Sequence, residues 1–241
     1  MGAQQLRSWL SAAALLLYPQ PRCILCGGVA TESGLCSSCQ NVAKYRTCGH
    51  CACFLPDGAA NCFCTACTAA APSFALARAA LPYQGELRQA LLMFKYQEQI
   101  WLKRPLTSLL QAAFEQYYRQ VNFQLVMAVP LARERYRQRG YNQSAILAKE
   151  LAYHLALPYQ SDVLRRIKHT PPLAELNKDQ RFQVLKGAFA ADSRIAGKTI
   201  LLIDDIYTTG ATASSCSDVL VAQGAAAVYT LAVAAHRESG Y

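Results

Sequence analysis

The residues best suited to chemistry in this sequence form one short stretch. Asp204 and Asp205 directly follow the apolar run 201–203, and a turn rich in hydroxyl groups then leads into a helical pattern. Two neighbouring carboxylates repel each other, so both stay ionised only near donors such as sugar hydroxyls or a metal ion. The turn can offer backbone N–H groups, hydroxyls and a positive helix end to a phosphate, through Thr208, Thr209, Gly210, Ala211 and Thr212. A decorated surface turn would explain the threonines and the glycine, but not two acids behind an apolar run.

The cysteines form a second group with chemical potential, and ten of the eleven lie between residues 23 and 67. Eight of them form Cys-x2-Cys pairs, a spacing that turns the backbone around a metal with both thiolates pointing the same way. Two pairs complete a four-cysteine zinc site, so we predict two structural zinc ions held by Cys23, Cys26, Cys36, Cys39, Cys48, Cys51, Cys64 and Cys67. We expect sequential pairing, with crossed pairing as the alternative. Cys53, Cys62 and His50 are further potential ligands.

A disulfide scaffold is the alternative interpretation of the cysteine block, and it would suit a secreted chain. Arg7 precedes an apolar run, as in a secretory signal, but that run ends in the sequence Pro-Gln-Pro-Arg without a small-x-small cleavage site. Apolar residues recur there at helical spacing, so we expect an amphipathic helix over residues 1–20. No apolar run reaches the length of about 18 residues that predicts a membrane span. We therefore favour zinc over disulfides, and a cytoplasmic location.

These groups must be positioned by elements that alternate between strand and helix from residue 73 onward. Strands are predicted over 75–83, 125–129, 199–203 and 228–233, and amphipathic helices over 87–95, 106–118, 142–155 and 211–223. A loop carrying Arg133, Arg135, Arg137 and Arg139 is expected after the second strand. This order indicates an α/β fold with an open, mainly parallel sheet and helices on both faces. In such sheets ligands bind beyond the carboxyl ends of the strands, where the two acids fall.

The chain therefore divides into three predicted parts. They are an N-terminal helix over 1–20, a double zinc ribbon over 21–72 and an α/β domain over 73–241. Cys216 falls on the apolar side of the last helix and is expected to be a buried small residue rather than a nucleophile.

Several stretches carry a resemblance to a known family. Residues 204–212 look like the phosphoribosyl-diphosphate motif of type I phosphoribosyltransferases. Together with the cysteine block, Phe94-Lys95-Tyr96, Val129-Pro130 and the run 139–144, the chain resembles the ComF family of competence-associated proteins from about residue 21 onward. This resemblance implies a phosphoribosyltransferase-like domain behind a double zinc ribbon. It also implies phosphoribosyl diphosphate and magnesium as ligands, and a setting in natural transformation and DNA uptake.

The resemblance also implies roles for particular residues. Asp204 and Asp205 would be the catalytic pair that holds the ribose hydroxyls, directly or with magnesium, and the turn 208–212 would cradle the 5-phosphate. Pro130 and Leu131 fall in the place of the loop that binds the diphosphate. Residues 165–172 fall where these enzymes carry a mobile hood.

The diphosphate itself needs cations. Arg133 and Arg135 are the candidates for this contact, because a guanidinium matches phosphate oxygens with two parallel hydrogen bonds.

Two functions from different classes follow. As an enzyme, the chain would transfer a phosphoribosyl group to an unknown acceptor through positioning and charge stabilisation. As a non-catalytic module, it would sense phosphoribosyl diphosphate or another nucleotide, while its ribbon and arginines engage single-stranded DNA or competence proteins. The formal charge of +9 does not decide between them, because two four-cysteine zinc sites would lower it to about +5. The remaining surplus lies beside the proposed phosphate site, which makes the basicity weak evidence for DNA contact.

Overall fold

The computed structural model describes residues 21–41, 45–56, 62–171 and 176–236, so the helix predicted over 1–20 lies outside the described residues. The strands are β1 (Leu76–Pro82), β2 (Leu125–Ala128), β3 (Leu164–Arg166), β4 (Phe189–Ala191), β5 (Thr199–Tyr207) and β6 (Ala227–Ala235). The α-helices are α1 (Ser37–Gln40), α2 (Thr65–Ala69), α3 (Gly85–Tyr96), α4 (Lys103–Tyr117), α5 (Arg133–Arg139), α6 (Gln143–His154), α7 (Lys178–Leu185) and α8 (Ala211–Ala222). None of the helices in these ranges combines the length and hydropathy needed to cross a lipid bilayer.

Four strands form one parallel sheet in the order β1-β6-β5-β2. β3 and β4 pair antiparallel in a separate two-stranded sheet. Parallel strands that are covered on both faces are apolar along most of their length, as β5 and β6 are. The predicted fold class, an open and mainly parallel α/β sheet behind a cysteine-rich segment, is confirmed.

Helices cover both faces of this sheet. Successive residues of a strand point to opposite faces, and the core divides accordingly. Leu201 and Ile203 of β5 pack in one cluster with Leu147 of α6, whereas Leu202 packs in another with Leu220 of α8. The sheet thus holds α4 and α6 on one side and α8 on the other.

The first part of the cysteine-rich segment packs against α4. Cys23 and Leu35 are buried in the same cluster as Leu106. Gly34 approaches this helix so closely that an added Cβ would lie 3.2 Å from Pro105.

The second part of the cysteine-rich segment takes the place of a helix over β1 and β6. Ala77, Ala79 and Ala232 are buried in one cluster with Cys48 and Cys64. The backbone of the segment also joins β1, since the Ala77 amide donates to the His50 carbonyl at 2.9 Å. Alanines on these strands leave room for the chain above them to approach the sheet closely.

The stretch predicted as an arginine-rich loop is a helix, α5, and the prediction is corrected in this respect. Its residues Arg133, Arg135, Arg137 and Arg139 are separated by glutamate, tyrosine and glutamine, a composition that favours helix. Glu134 lies in the first turn, and Gly140 ends the helix in the left-handed region, with φ of 75°.

Strand β5 is longer than predicted. Its pairing with β6 continues to Tyr207 and Ala235, so Asp204 and Asp205 lie within the strand rather than after it. The ladder continues because β6 itself extends beyond the predicted end at residue 233.

Candidate functional site

The two acids of β5 are held by partners from different helices. The Lys95 Nζ atom of α3 lies 2.9 Å from Asp205 Oδ2, in an ion pair whose side chains are 16% and 11% exposed. Ser144 of α6 donates through Oγ to Asp204 Oδ1 at 3.0 Å, and the Asp205 amide donates to the same oxygen at 2.9 Å. The acids therefore have fixed positions near the carboxyl end of β5.

Asp204 has an unusual ionisation. Burial, and then the negative charge of Asp205, raise its pKa from 3.8 to about 7, against the opposing effects of Lys95 and Ser144. A carboxyl group in this condition ionises readily when a cation or a hydroxyl donor approaches. The pair thus suits a ligand that brings positive charge or hydroxyl groups.

A tight turn links β5 to the start of α8. Gly210 is the N-terminal cap of α8 and adopts φ of 79°, a conformation that favours glycine. The Ala211 amide lies 3.4 Å from Thr209 Oγ1, and the Ser214 amide donates to the Gly210 carbonyl at 2.8 Å. The turn places Thr208, Thr209, Gly210, Ala211 and Thr212 at the N-terminus of a twelve-residue helix.

Tyr207 packs beneath this turn. Its side chain is 4% exposed and belongs to the same buried cluster as Cys48, Cys51 and Cys64. A Cβ added to Gly210 would lie 2.8 Å from Tyr207 Cζ and closer still to the hydroxyl. Burial raises the pKa of Tyr207 well above its ordinary value, so the phenol is protonated and can donate a hydrogen bond.

Sequence reasoning missed the partners of the acids, although two quoted motifs contain them. Lys95 belongs to the stretch 94–96 and Ser144 to the run 139–144. These stretches meet in space, because the Tyr141 hydroxyl donates to the Phe94 carbonyl. The Arg139 guanidinium lies 4.7 Å from the Tyr96 ring centre. The sequence therefore contained the signal as two motifs to which no contact with the acids was assigned.

The predicted diphosphate loop forms one wall of a cleft of about 630 Å³. Asn142 fixes the start of this loop by donating from Nδ2 to the Val129 carbonyl at 3.0 Å. The cleft brings the loop and the predicted hood together, with lining residues that include Pro130, Leu131, Arg133, Arg165, Arg166, Lys168 and His169. Arg135 and the two acids of β5 do not line the cleft.

A helix that follows the predicted hood in the chain contacts the phosphate turn. Arg181 of α7, which lies between β3 and β4, donates from Nη1 to Thr208 Oγ1 at 3.1 Å. Residue 172, the last of the predicted hood, lies outside the described residues, as do residues 173–175. Arg181 was not among the predicted site residues.

The cysteines form two groups, each with its four Sγ atoms within 4.8 Å of one another. The first tetrad is Cys23, Cys26, Cys36 and Cys39, and the second tetrad is Cys48, Cys51, Cys64 and Cys67, which is the sequential pairing. All eleven cysteines are free thiols. The Sγ atoms of Cys26 and Cys36 are 3.6 Å apart, as are those of Cys51 and Cys64. A tetrahedral site with bonds of about 2.3 Å has sulfurs about 3.8 Å apart, so both donor sets fit zinc.

The thiols of each tetrad differ in their pKa values, and burial raises those of Cys39, Cys64 and Cys67. Burial alone would raise the pKa of Cys23 and Cys48, but backbone N–H groups outweigh it and lower the values to about 6 and about 7. The other candidate ligands lie outside the tetrads. His50 Nε2 is 2.8 Å from the Phe74 carbonyl, Cys53 lies near the Phe54 carbonyl, and Cys62 is exposed.

Comparison with protein-family models gives no match. Among solved structures, adenine phosphoribosyltransferase from Saccharomyces cerevisiae is similar with a TM-score of 0.37, at 15% identity over 57% of this chain and 72% of that chain. DNA utilization protein YhgH of Escherichia coli is 27% identical over 198 residues, which cover 81% of this chain and 87% of the relative. Competence protein F of Haemophilus influenzae is 33% identical over 208 residues, which cover 83% of this chain and 90% of the relative. The chain therefore belongs to the family of competence protein F, the ComF family that its motifs resemble.

Proposed function

We propose that this chain binds phosphoribosyl diphosphate with Mg²⁺ at the carboxyl edge of its sheet, and that it acts in the cytoplasm in DNA uptake during natural transformation. The observation that carries the ligand is the pair Asp204–Asp205, fixed by Ser144 and Lys95 next to a hydroxyl-rich turn that opens a helix. The names of the relatives, a competence protein and a DNA utilization protein, support the biological setting.

Each part of the ligand has a proposed partner. The ribose hydroxyls go to Asp204 and Asp205, and the 5-phosphate goes to the turn 208–212, whose amides and helix end favour an anion. The carboxylates are also the proposed ligands of Mg²⁺, which prefers oxygen donors and usually binds through one or two carboxylates and substrate phosphates. The Lys95 ammonium would balance the charge of Asp205.

The diphosphate is assigned to the loop at Pro130 and Leu131 and to the cleft beside it. Arg133 supports this assignment because it lines the same cleft as Arg165 and Lys168. Arg135 remains a proposed contact, although it does not line the cleft, so we rank it below Arg133.

As an enzyme, the chain would bring an acceptor to the anomeric carbon while diphosphate leaves. The acceptor nucleophile forms the new bond as the carbon–oxygen bond to diphosphate breaks, and the diphosphate carries away the electron pair. The chain contributes positions and charges in this scheme, with no covalent intermediate. The contact of Arg181 with Thr208 supports a covering role for α7, the helix that follows the predicted hood, over the phosphate turn during transfer.

Calorimetry with phosphoribosyl diphosphate and Mg²⁺ tests the ligand. The native protein should bind, the Asp204→Asn/Asp205→Asn double variant should lose most of its affinity, and Asp162→Asn should bind normally. Asp162 is a matched control because its carboxylate is exposed, pairs with Arg194 and does not line the cleft. Failure of the native protein to bind would refute the proposal. Diphosphate release with candidate acceptors would identify an enzyme, and binding without release would identify a sensor.

We also propose that residues 21–72 form a double zinc ribbon with one Zn²⁺ in each tetrad, ahead of the phosphoribosyltransferase-like domain over 73–241. The tetrahedral spacing of the sulfurs supports this assignment. Metal analysis of the purified protein should give about two zinc ions per chain.

A second candidate function is the non-catalytic binding of single-stranded DNA, directly or with competence proteins. The supporting observation is the stacked pair of Arg139 and Tyr96, with Tyr96 59% exposed and Tyr136 exposed on the same arginine-rich helix. Exposed aromatic rings beside cations are a common surface for stacking unpaired bases.

Fluorescence anisotropy with a labelled oligothymidine tests this second function. Affinity should fall steeply between low and moderate salt, as phosphate contacts require. Tyr96→Ala should weaken binding at every salt concentration. Tyr153 is 83% exposed and lies on α6, outside the arginine-rich helix, so Tyr153→Ala should not weaken binding. An affinity that does not depend on salt, or no measurable binding, would exclude direct contact with DNA.

A further inference from the structure

Tyr207 lies between the phosphate turn and the second tetrad. Its hydroxyl lies directly beneath Gly210, where an added Cβ would collide with it. On its other side, Tyr207 lies in the same buried cluster as Cys48, Cys51 and Cys64, and its hydroxyl has the Cys51 side chain as a hydrogen-bond neighbour. One side chain thus contacts both a metal-ligand cluster and the backbone of the turn.

The surroundings of Tyr207 leave it little freedom. The ring is buried in the cluster of the second tetrad and makes an edge contact with Phe74, at 6.3 Å between ring centres. Phe74 in turn contacts His50, whose ring nitrogen is 2.8 Å from the Phe74 carbonyl. A close-packed group of this kind transmits a displacement instead of absorbing it.

The second tetrad is also tied to the sheet by a half-buried cation. Arg78 of β1 donates from Nη1 to the carbonyls of Cys48 and Cys51, at 3.1 and 3.3 Å. These carbonyls belong to the turn that carries the third Cys-x2-Cys pair. The position of Cys51, and therefore of the atom beside Tyr207, depends on whether this turn is closed around a metal.

The first tetrad differs in its surroundings. It packs on α4, where Cys23 and Leu35 share a cluster with Leu106. No residue of the turn 208–212 belongs to that cluster among the described residues. The two tetrads therefore provide a natural comparison within one chain.

We propose that metal binding at the second tetrad and ligand binding at the phosphate turn are thermodynamically coupled, with Tyr207 as the positioning residue between them. The inference rests on the proposed function, since it takes zinc as the metal and a sugar phosphate as the ligand. Zn²⁺ fixes Cys51 as a thiolate acceptor, the phenol of Tyr207 donates to it, and the ring then supports Gly210 in the conformation that presents the amides of the turn. Coupling between two sites is reciprocal, so each ligand raises the affinity of the other by the same factor.

Release of zinc to a chromogenic chelator measures this coupling without an activity assay. Ribose 5-phosphate is the probe, because it carries the groups assigned to the turn and the acids but lacks the metal-binding diphosphate. In the native protein, saturating ribose 5-phosphate should slow the release of one of the two zinc ions by about fivefold or more and leave the other unchanged. In Cys26→Ser, which removes a ligand from the first tetrad, the remaining zinc should be the protected one. Cys67→Ser removes a ligand from the second tetrad, and ribose 5-phosphate should not slow the release of the remaining zinc ion in this variant.

The variant Tyr207→Phe tests the positioning residue itself. It keeps the buried ring and removes only the hydroxyl, so both zinc ions and ribose 5-phosphate should still bind. Ribose 5-phosphate should, however, no longer slow the release of zinc. Tyr118→Phe is the matched control, because the buried Tyr118 hydroxyl donates instead to the carbonyls of Leu76 and Thr230. In this variant ribose 5-phosphate should slow zinc release as much as in the native protein.

The outcomes separate the inference from the function beneath it. If the native protein binds neither ribose 5-phosphate nor two zinc ions, the proposed function itself is wrong. If both bind but neither zinc is protected, or if Tyr207→Phe protects as well as the native protein, the coupling through Tyr207 is wrong and the proposed function stands.

Discussion

At the scale of single residues, the ionisation of Asp204 sets a pH dependence for ligand binding. Its pKa of about 7 means that the carboxyl is mostly protonated at pH 6 and ionised at pH 8. Ribose hydroxyls and Mg²⁺ require the ionised form, so affinity for phosphoribosyl diphosphate should rise by about tenfold over this interval, as measured by calorimetry. The phosphates of the ligand titrate in the same pH range and also contribute to the pH dependence of the affinity. Asp204→Asn removes the contribution of the Asp204 carboxyl and keeps that of the ligand. An equal pH dependence in Asp204→Asn would contradict this assignment.

The same shift has the opposite consequence for the free protein. Because the pKa is raised from 3.8 in the unfolded chain to about 7 in the folded one, the folded state binds more protons between these values. The contribution of Asp204 to the free energy of unfolding is therefore largest below pH 3.8 and decreases as the pH rises toward about 7. Binding and stability thus make opposite demands on this carboxyl group.

Gly210 is the residue at which a single methyl group should have the largest effect. Gly210→Ala places a Cβ against the Tyr207 ring and forces alanine into a left-handed conformation, so both stability and ligand affinity should fall. Gly197→Ala is the control, because it has φ of 72° but no atom within 4 Å of the added Cβ. In denaturant unfolding, the free energy of unfolding should fall by about 1–3 kcal/mol more in Gly210→Ala than in Gly197→Ala, which has the backbone strain alone. Equal losses would show that Tyr207 yields to the added group.

The residue scale also shows how far sequence reasoning reaches. The sequence was sufficient to propose Asp204, Asp205 and the turn as site residues, because they follow one another directly along the chain and their residue types suit a sugar phosphate. Lys95 was not, because its contact with Asp205 is set by packing between elements more than a hundred positions apart. The inward orientation of Tyr207 was likewise invisible, since a tyrosine between two site residues suggests a ligand contact rather than a contact with cysteines.

At the scale of elements, α5 gives different environments to arginines that look equivalent in the sequence. Arg133 lies at the start of the helix and lines the cleft, whereas Arg137 is exposed and lies outside it. Arg133→Ala should lower the affinity for phosphoribosyl diphosphate by about tenfold, which corresponds to the loss of one charged hydrogen bond. Arg137→Ala should have little effect on this affinity. If Arg133→Ala weakens the binding of ribose 5-phosphate less than that of phosphoribosyl diphosphate, the lost contact is one to the diphosphate. Equal effects of the two variants would indicate long-range charge instead of contact.

The helix also explains why the loop prediction failed. A sequence rich in arginine has a high helix propensity, but its lack of an apolar stripe made it look like a solvated loop. The four strands of the parallel sheet and the longer helices were predicted because continuous apolar runs and helical spacing are local signals. The three-residue strands β3 and β4 give no such signal and were not predicted. The bounds of β5 depended instead on the length of its partner β6, which no local pattern reveals.

At the scale of the whole molecule, the two tetrads stabilise different parts of the fold. The first packs on α4, and the second covers the alanines of β1 and β6. Removing zinc with a chelator should therefore lower the midpoint of thermal unfolding and expose thiols in both regions, as followed by calorimetry and thiol titration. Zinc should restore both. Unchanged unfolding of the metal-free protein would mean that the packing around the cysteines suffices without metal.

The strand order has a consequence for how the chain is made. β6, which follows the other described strands along the chain, lies between β1 and β5 in the finished sheet. Until it is synthesised, β1 has no partner strand and β5 has an open edge, so two template edges are exposed during translation. The pairing of β1 with β6 joins residues as far apart as Leu76 and Tyr229, which makes closure of the sheet a late and slow event. A nascent chain of this protein must therefore be protected until β6 has been synthesised, and a truncation before Ala227 would remove a central strand of the sheet rather than an edge strand.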